Sequence, residues 1–219
     1  MYRILAQHKD FMVINKGPGL GMHDETDEAG LLHPGLVSRV KADTGLLLYP
    51  VHRLDKMTSG LVLLACTTEA NRALSMAFAA REVSKQYLAL SDRKPKKKQG
   101  WVKGDMQKGR GGSWMLVRSQ DNPAISWFDS VSVREGLRLY RIKPRTGKTH
   151  QIRVALKSVG APILGDERYG GTAADRGYLH AWRLAFTLAG EAFDFVCPPD
   201  EGTLFVLPEV HAAIAGLAE

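Results

Sequence analysis

The segment Val51-His52-Arg53-Leu54-Asp55, followed by Lys56-Met57-Thr58-Ser59-Gly60, interrupts apolar sequence with charges. Charges held between core strands are costly unless they are paired or used. An aspartate beside arginine stays ionised, because nearby positive charge favours the carboxylate. Such a carboxylate can serve as nucleophile or base at neutral pH. Taken alone, Asp55 fits a structural ion pair or a turn cap equally well. A second concentration of polar groups runs from Arg145 through Thr146, Gly147, Lys148, Thr149, His150, Gln151 and Ile152 to Arg153. With Thr149 as the cap, Gln151 and Arg153 fall in a helix's first turn, whose free N–H groups attract anions. Arg153 there opposes the helix dipole and so requires a carboxylate or phosphate partner elsewhere. A surface helix that contacts phosphate without catalysing anything has the same pattern. A third stretch, Pro162 to Gly170, is a glycine-bounded loop able to brace a site.

The elements that must position these residues are short. Ile4-Leu5 and Phe11 to Ile14 read as strands, broken by Lys16-Gly17-Pro18-Gly19. Met22 to Gly30 is polar and reads as an exposed loop, and Leu31 to Val40 has helical spacing that ends near Gly45. Leu46 to Leu54 is strand-like, and Gly60 to Ala65 is a continuous apolar run suited to a strand buried on both faces. Glu69 to Arg81 reads as a helix with Ala70, Leu74, Ala77 and Phe78 on one face, capped by Thr67 or Thr68. Val83 to Leu90 is the next strand. Arg93 to Gly112 is rich in Lys and Gly and reads as a mobile arm. Strands resume at Trp114 to Arg118, Ile125 to Val133 and Leu137 to Pro144, and a helix follows from His150 to Val159, closed by Gly160. Tyr178 to Leu188 and Phe193 to Val196 pair around a Gly190 turn, and Pro208 to Glu219 forms a terminal helix.

This arrangement indicates a mixed α/β or α+β sheet domain. No GxGxxG or GxxxxGK[ST] phosphate loop occurs, which argues against a nucleotide-cofactor enzyme or an NTPase. The 219 residues suffice for a full core without disulfides or a structural metal. The two cysteines, Cys66 and Cys197, are far apart and read as buried thiols of a cytoplasmic protein. No apolar run is long enough to span a membrane, and the N-terminus lacks the features of a signal peptide. The formal charge of +7 suits a polyanionic partner. It clusters at Lys94, Lys96, Lys97, Lys98, Lys103, Lys108 and Arg110, and again at Arg141, Lys143, Arg145, Lys148 and Arg153. Either cluster also fits a solvated face, and charge alone does not separate RNA from DNA or anionic lipid.

Taken in order, these segments resemble the RluA-type pseudouridine synthases. Residues 52–65 are similar to that family's H-R-L-D, T-S-G and apolar strand. Thr149 to Leu156 and Pro162 to Gly170 resemble its second block. Lys85-Gln86-Tyr87 resembles its K-x-Y element, Asn15 to Leu20 its N-K-P-x-G, and Leu179-His180-Ala181 its late L-H-A. The resemblance implies an α+β catalytic fold, with a long bent, mostly antiparallel sheet, flanking helices and a central RNA-binding cleft, in one domain over 1–219. It implies no N-terminal S4-like domain and an enzyme isomerising uridine to pseudouridine in ribosomal or transfer RNA. The expected protein is a monomer with no obligatory protein partner and no membrane association.

The resemblance also assigns residues. Asp55 stands at the catalytic aspartate, Tyr87 at the tyrosine that stacks on the target uracil, and Arg153 at the arginine paired with the catalytic carboxylate. Arg53 matches the arginine that fills the gap left by the flipped base. His52, Lys148, His150, Gln151, Lys96 and Lys97 complete the expected RNA-contacting set. Uracil leaves C1′ and rejoins through C5 with loss of the C5 proton, a change without redox or hydrolysis, so neither cofactor nor metal is expected. Gly17 departs from the family's proline, and Lys148 from its arginine, losing the bidentate fork. Ala124 to Phe128 replaces its A-x-T-x-[FY] strand. Two other readings compete. One is an RNA-binding protein without catalysis, in which Asp55, Tyr87 and Arg153 would have no reason to occur together. The other is a glycoside hydrolase, which requires two acids, with Asp166 and Glu167 as candidates for the second.

Overall fold

The computed structural model describes residues 1–217. Along the chain run β1 (Tyr2–Gln7), β2 (Phe11–Lys16), β3 (Glu25–Thr26), β4 (Leu32–His33), α1 (Leu36–Thr44), β5 (Tyr49–Pro50), β6 (Ser59–Ala65) and α2 (Thr68–Ala79). They are followed by β7 (Ser84–Ser91), β8 (Gln99–Lys108), β9 (Trp114–Val117), β10 (Ala124–Arg134), β11 (Leu137–Pro144) and α3 (Gln151–Ser158). The chain closes with β12 (Leu179–Leu188), β13 (Glu191–Val196) and α4 (Pro208–Ala215). The expected terminal helix is therefore shorter than Pro208 to Glu219, and Ala218 and Glu219 lie outside the described residues. The fold is mixed α+β with a mostly antiparallel sheet and flanking helices, as the order of elements implies.

The chain packs as two compact units, each assembled from separate stretches of sequence. One comprises Met1–Ser84 and Ala181–Pro198. Its strands lie in the order β1-β2-β6-β12, with β13 on β12 and β5 on β6. Every residue of β2 and β6 is buried, which accounts for the uninterrupted apolar runs of both strands. Thr67 caps α2 by accepting the Ala70 amide at 3.1 Å, and the Ala70–Leu74 face turns inward. Ala189 and Gly190, both at positive φ (50° and 83°), make the tight β12–β13 turn.

The other unit comprises Lys85–His180 and the stretch from Pro199 onward, with strand order β7-β11-β10-β8-β9. Here the structure corrects the expected mobile arm. Half of that segment is β8, a ten-residue strand paired with β10 and then with β9. The physical reason is alternation hidden under lysine. Val102 and Gly104 point inward, and Gly104 lets the Val117 carbonyl approach to 2.4 Å of where a Cβ would stand.

Three further expectations shift. The helix read from Leu31 begins at Leu36, because Pro34-Gly35 closes the β3–β4 hairpin first. Only Tyr49–Pro50 of the strand-like run 46–54 joins the sheet, and Leu47 is 62% exposed. Helix α3 starts at Gln151 with His150, at φ 57°, as the capping residue in place of Thr149.

Gly60 shows why the turn into β6 needs glycine. Its φ is +105°, and a Cβ would sit 2.3 Å from the Ala181 carbonyl oxygen. Gly19 also has positive φ, +79°, but faces open space. Gly60→Ala is therefore expected to lower unfolding free energy well beyond the roughly 1–3 kcal/mol of backbone strain that Gly19→Ala would incur. Urea denaturation of both variants measures the difference.

Candidate active site

In the first unit, the chain leaves the sheet after Pro50 and returns at Ser59, and the charged segment fills the gap. His52 does not face outward. Its Nε2 accepts the Leu63 amide of β6 at 2.9 Å, so the ring takes over where β5 stops pairing. The ring also lies on Phe78 of α2, centroids 4.8 Å apart and planes 16° apart. An Nε2 that accepts leaves the proton on Nδ1, so the imidazole is held neutral. The ring thus completes the backbone hydrogen bonding of β6. Leu54 is buried, Arg53 exposed and Asp55 half-buried. The Thr58 amide donates to the Asp55 carbonyl at 2.9 Å, closing a turn whose next two residues, Ser59 and Gly60, are buried.

Lys16 fixes the other side of that turn. Wholly buried at the end of β2, it donates from Nζ to the carbonyls of Leu20 (2.7 Å), Gly17 (3.0 Å) and Lys56 (3.3 Å). The Gly19 amide reaches the same Lys56 carbonyl at 2.8 Å. The N-K-G-P-G-L loop and the Asp55 turn are therefore joined through the residue after Asp55. Residue-type reasoning did not single out Lys16. Its signal is a charge just after the apolar run Phe11 to Ile14 and Asn15, directly before a Gly-Pro-Gly break. Gly17 donates its amide to the Met1 carbonyl at 2.8 Å, and a Cβ on it would lie 2.5 Å from that oxygen.

The second unit holds Tyr87, Lys148, His150, Gln151, Arg153, Lys96 and Lys97. Arg153 grips Asp166 with two charge-assisted hydrogen bonds, Nε to Oδ2 at 2.7 Å and Nη2 to Oδ1 at 2.8 Å, both side chains being buried. The guanidinium also lies over the Tyr169 ring, 4.9 Å from its centroid. Asp166 is thus one of the partners that Arg153 requires, and it is not available as the second acid of a glycoside hydrolase. The glycine-bounded loop holds Asp166 in place. At Gly165 and Gly171 a Cβ would come within 1.9 Å of the Arg176 and Ile163 carbonyl oxygens.

Gln151, like His52, is bonded to its own chain. Its Oε1 accepts from Thr146 Oγ1 (2.7 Å) and the Lys148 amide (3.0 Å), and its Nε2 donates to the Ile125 carbonyl (3.0 Å) and Ser126 Oγ (2.8 Å). With four bonds to its own chain and a buried side chain, it braces α3 against β10. Lys148 Nζ donates to Asn122 Oδ1 at 2.7 Å. His150, in the left-handed region, bonds Tyr169 Oη through Nδ1 at 2.8 Å, and the same hydroxyl accepts the Trp114 amide at 2.9 Å. Burial pushes the Tyr169 phenol up, so its proton is retained.

Tyr87 stands half-buried on β7, opposite Ile142 of β11. Its neighbour in the K-x-Y element, Lys85, has its ammonium near Gly147, and burial pulls its pKa down. Lys96 and Lys97 are exposed, and the Lys97 ammonium bonds the Trp101 carbonyl at 2.7 Å. Among the described residues no group of three or more His, Cys, Asp and Glu could hold a metal ion, and no helix is long and apolar enough to cross a membrane.

The sequence model of the family described as RNA pseudouridylate synthase matches residues 10–158, a span that holds Asp55, Tyr87 and Arg153. The chain belongs to that family. It is 46% identical to the uncharacterized RNA pseudouridine synthase of Haemophilus influenzae over 96% of this chain and 93% of that one. It is 32% identical to the ribosomal large subunit pseudouridine synthase C of Escherichia coli, over 96% of this chain and 70% of the relative. Among solved structures, human RNA pseudouridylate synthase domain containing 4 superimposes with a TM-score of 0.75 at 26% identity, covering 95% of this chain and 92% of that one. Membership makes the chain a pseudouridine synthase, an isomerase acting on RNA.

Two expectations about this synthase follow from the geometry. Lys16→Met leaves three carbonyls without their common donor and frees the turn after Asp55. Steady-state kinetics should show kcat down about tenfold or more, with KM little changed. An unchanged kcat would separate Lys16 from the placement of Asp55. Asp166→Ala strands a buried guanidinium and should cost about 3–5 kcal/mol in urea unfolding, whereas replacing Arg153 and Asp166 together by Met and Leu should recover much of that loss.

Proposed function

We propose that this synthase isomerises specific uridines in structured ribosomal or transfer RNA, with Asp55 acting at the ribose of a uridine flipped out of its stack. The observation that carries the reading is the construction around Asp55. The backbone that carries the half-buried Asp55 is held on one side by the His52–Leu63 bond and on the other by the Lys16 clamp. Such fixation serves chemistry, because a reacting group must be held against its target to within about an ångström.

In the proposed reaction the C1′–N1 bond breaks, the uracil turns, a C1′–C5 bond forms, C5 loses its proton and N1 gains one. Atoms and electrons balance without a cofactor. Asp55 either attacks C1′ or removes the C2′ proton. Tyr87 offers the loosened base an aromatic face, and Arg153 acts from its place on Asp166. Extruding the target from a helix costs a few kcal/mol, offset by stacking and by Arg53 filling the vacated place. Lys148 and His150 contact the RNA in this reading, the two units act as one catalytic domain, and the protein works as a cytoplasmic monomer. The E. coli relative is named for the large ribosomal subunit, which makes ribosomal RNA the first substrate to test.

Tritium release from RNA carrying 5-³H-uracil tests the assignment. Unmodified ribosomal and transfer RNA should release tritium with the wild type, and Asp55→Asn should reduce the rate about 10³-fold or more. Equal release by the variant would remove Asp55 from the mechanism.

A further inference from the structure

The two faces of the second unit's sheet differ in what covers them. Residue pairing places Ser126 and Phe128 of β10 on the face that Gln151 and α3 brace, and Tyr87 shares that face through Ile142. The opposite face carries Trp101 and Lys103 of β8, Ile125 and Trp127 of β10, and Lys143 of β11. Trp127 is the direct partner of both Trp101 and Lys143. Arg145, whose amide bonds the Ile125 carbonyl, continues the row beyond Lys103.

Cations flank both indoles. The Arg145 guanidinium lies 5.0 Å from the Trp101 ring centroid and the Lys103 ammonium 5.4 Å, while Lys143 lies 5.3 Å from Trp127. Trp101 is 40% exposed, although its strand neighbours Val102 and Gly104 are buried. The carboxylates of this face are already engaged. Asp129 is held by Arg141 (2.6 Å), and Asp105 accepts the amides of Asp121 (3.1 Å) and Asn122 (2.9 Å). Among the described residues, Lys103, Lys143 and Arg145 have no carboxylate within ion-pair distance.

An exposed and a half-buried indole interleaved with cations that lack carboxylate partners match one kind of ligand, a nucleic-acid strand whose bases are free to stack. Base–aromatic stacking is tolerant of sequence, and guanidinium planes offer a further platform. The cations neutralise the phosphates between successive bases. We propose that this face of β8, β10 and β11 is a second RNA-contact surface, which binds an unpaired stretch of the substrate away from the uridine being isomerised. The proposal rests on RNA being the substrate. It places the contact on the face opposite Tyr87, so it governs which RNA is retained and leaves the chemical step alone.

The test uses the full chain and a short oligoadenylate, which contains no uracil and cannot be isomerised. Wild type is expected to bind it with quenching of tryptophan fluorescence. Trp101→Ala should weaken binding about tenfold, and Trp101→Phe should keep it within about threefold. Replacing Lys103 and Arg145 by glutamine should lower the slope of log affinity against log salt by about 1.4, near 0.7 for each phosphate that is no longer neutralised. In parallel, tritium release from ribosomal RNA by Trp101→Ala should show a lower kcat/KM with kcat unchanged. Oligoadenylate affinity that ignores Trp101→Ala overturns the proposal. So does fluorescence quenching by phosphatidylserine vesicles but not by oligoadenylate, which would mark a lipid-facing surface. If wild type releases no tritium from any RNA while the Trp101 dependence of binding holds, the proposed reaction fails and the surface stands.

Discussion

The Lys16 ammonium, buried from water, is surrounded by the carbonyls of Gly17, Leu20 and Lys56, and the position of Asp55 follows from that arrangement. Desolvating an ion costs several kcal/mol, and here the cost is offset by carbonyl dipoles that must stay close. A displaced carbonyl would leave the charge under-solvated, so the 17–20 loop and the Lys56 carbonyl are coupled more tightly than two surface loops would be. His52 completes the restraint from the opposite end by supplying the acceptor that Leu63 lacks once β5 stops pairing. Asp55 lies three residues after one anchor and one residue before the other. Its freedom is limited by groups that never need to touch a substrate.

The second unit reaches the same end with different chemistry. Its Arg153 is oriented by a buried carboxylate, and that carboxylate by a loop whose glycines admit carbonyls where no Cβ fits. His150 holds a left-handed conformation that costs a non-glycine residue on the order of 1 kcal/mol or more. The bond to Tyr169, itself fixed by the Trp114 amide, keeps it there. Buried charge in both units, and backbone strain in the second, thus gather beside the residues that the sequence marks for chemistry, where local stability gives way to fixed geometry.

Elements with one dominant local signal were legible in the amino-acid sequence. The apolar run of β6, the alternation of β11 and the Thr67 cap of α2 all lie where their residues indicate. Errors arose where a distant partner decides. Lysines at 94–98 masked β8, whose inward residues are set by β10 and β9. The helical spacing from Leu31 was overridden by a hairpin that Pro34 ends. In the candidate site, Asp55 stood out by its charged surroundings and its motif, but the hydrogen-bond partners of His52 and Gln151 did not. Their partners, Leu63 and Ile125 with Ser126, lie 11 to 26 residues away. Residue type announces that a polar group needs a partner, and only the fold decides whether that partner is substrate or backbone.

Two of the three departures from the family pattern illustrate what a motif requires physically. A proline after Lys16 would fix φ and remove an N–H, while Gly17 keeps its N–H and gives it to the Met1 carbonyl. Either residue can turn the chain so that the Lys16 ammonium reaches back to carbonyls 17 and 20, but each demands a different neighbour. With glycine, Met1 packs where any Cβ would collide with its oxygen. The Met1 strand end and Gly17 therefore form one solution, and changing either alone would undo it. Lys148 follows the same rule. A lysine can satisfy only point contacts, and its ammonium is engaged by Asn122 of the loop before β10, a partner that asks for one hydrogen bond and not a planar fork. The requirement kept at both positions is the geometry handed to Asp55 and α3, and the residue that meets it depends on which backbone or side-chain partner lies within reach.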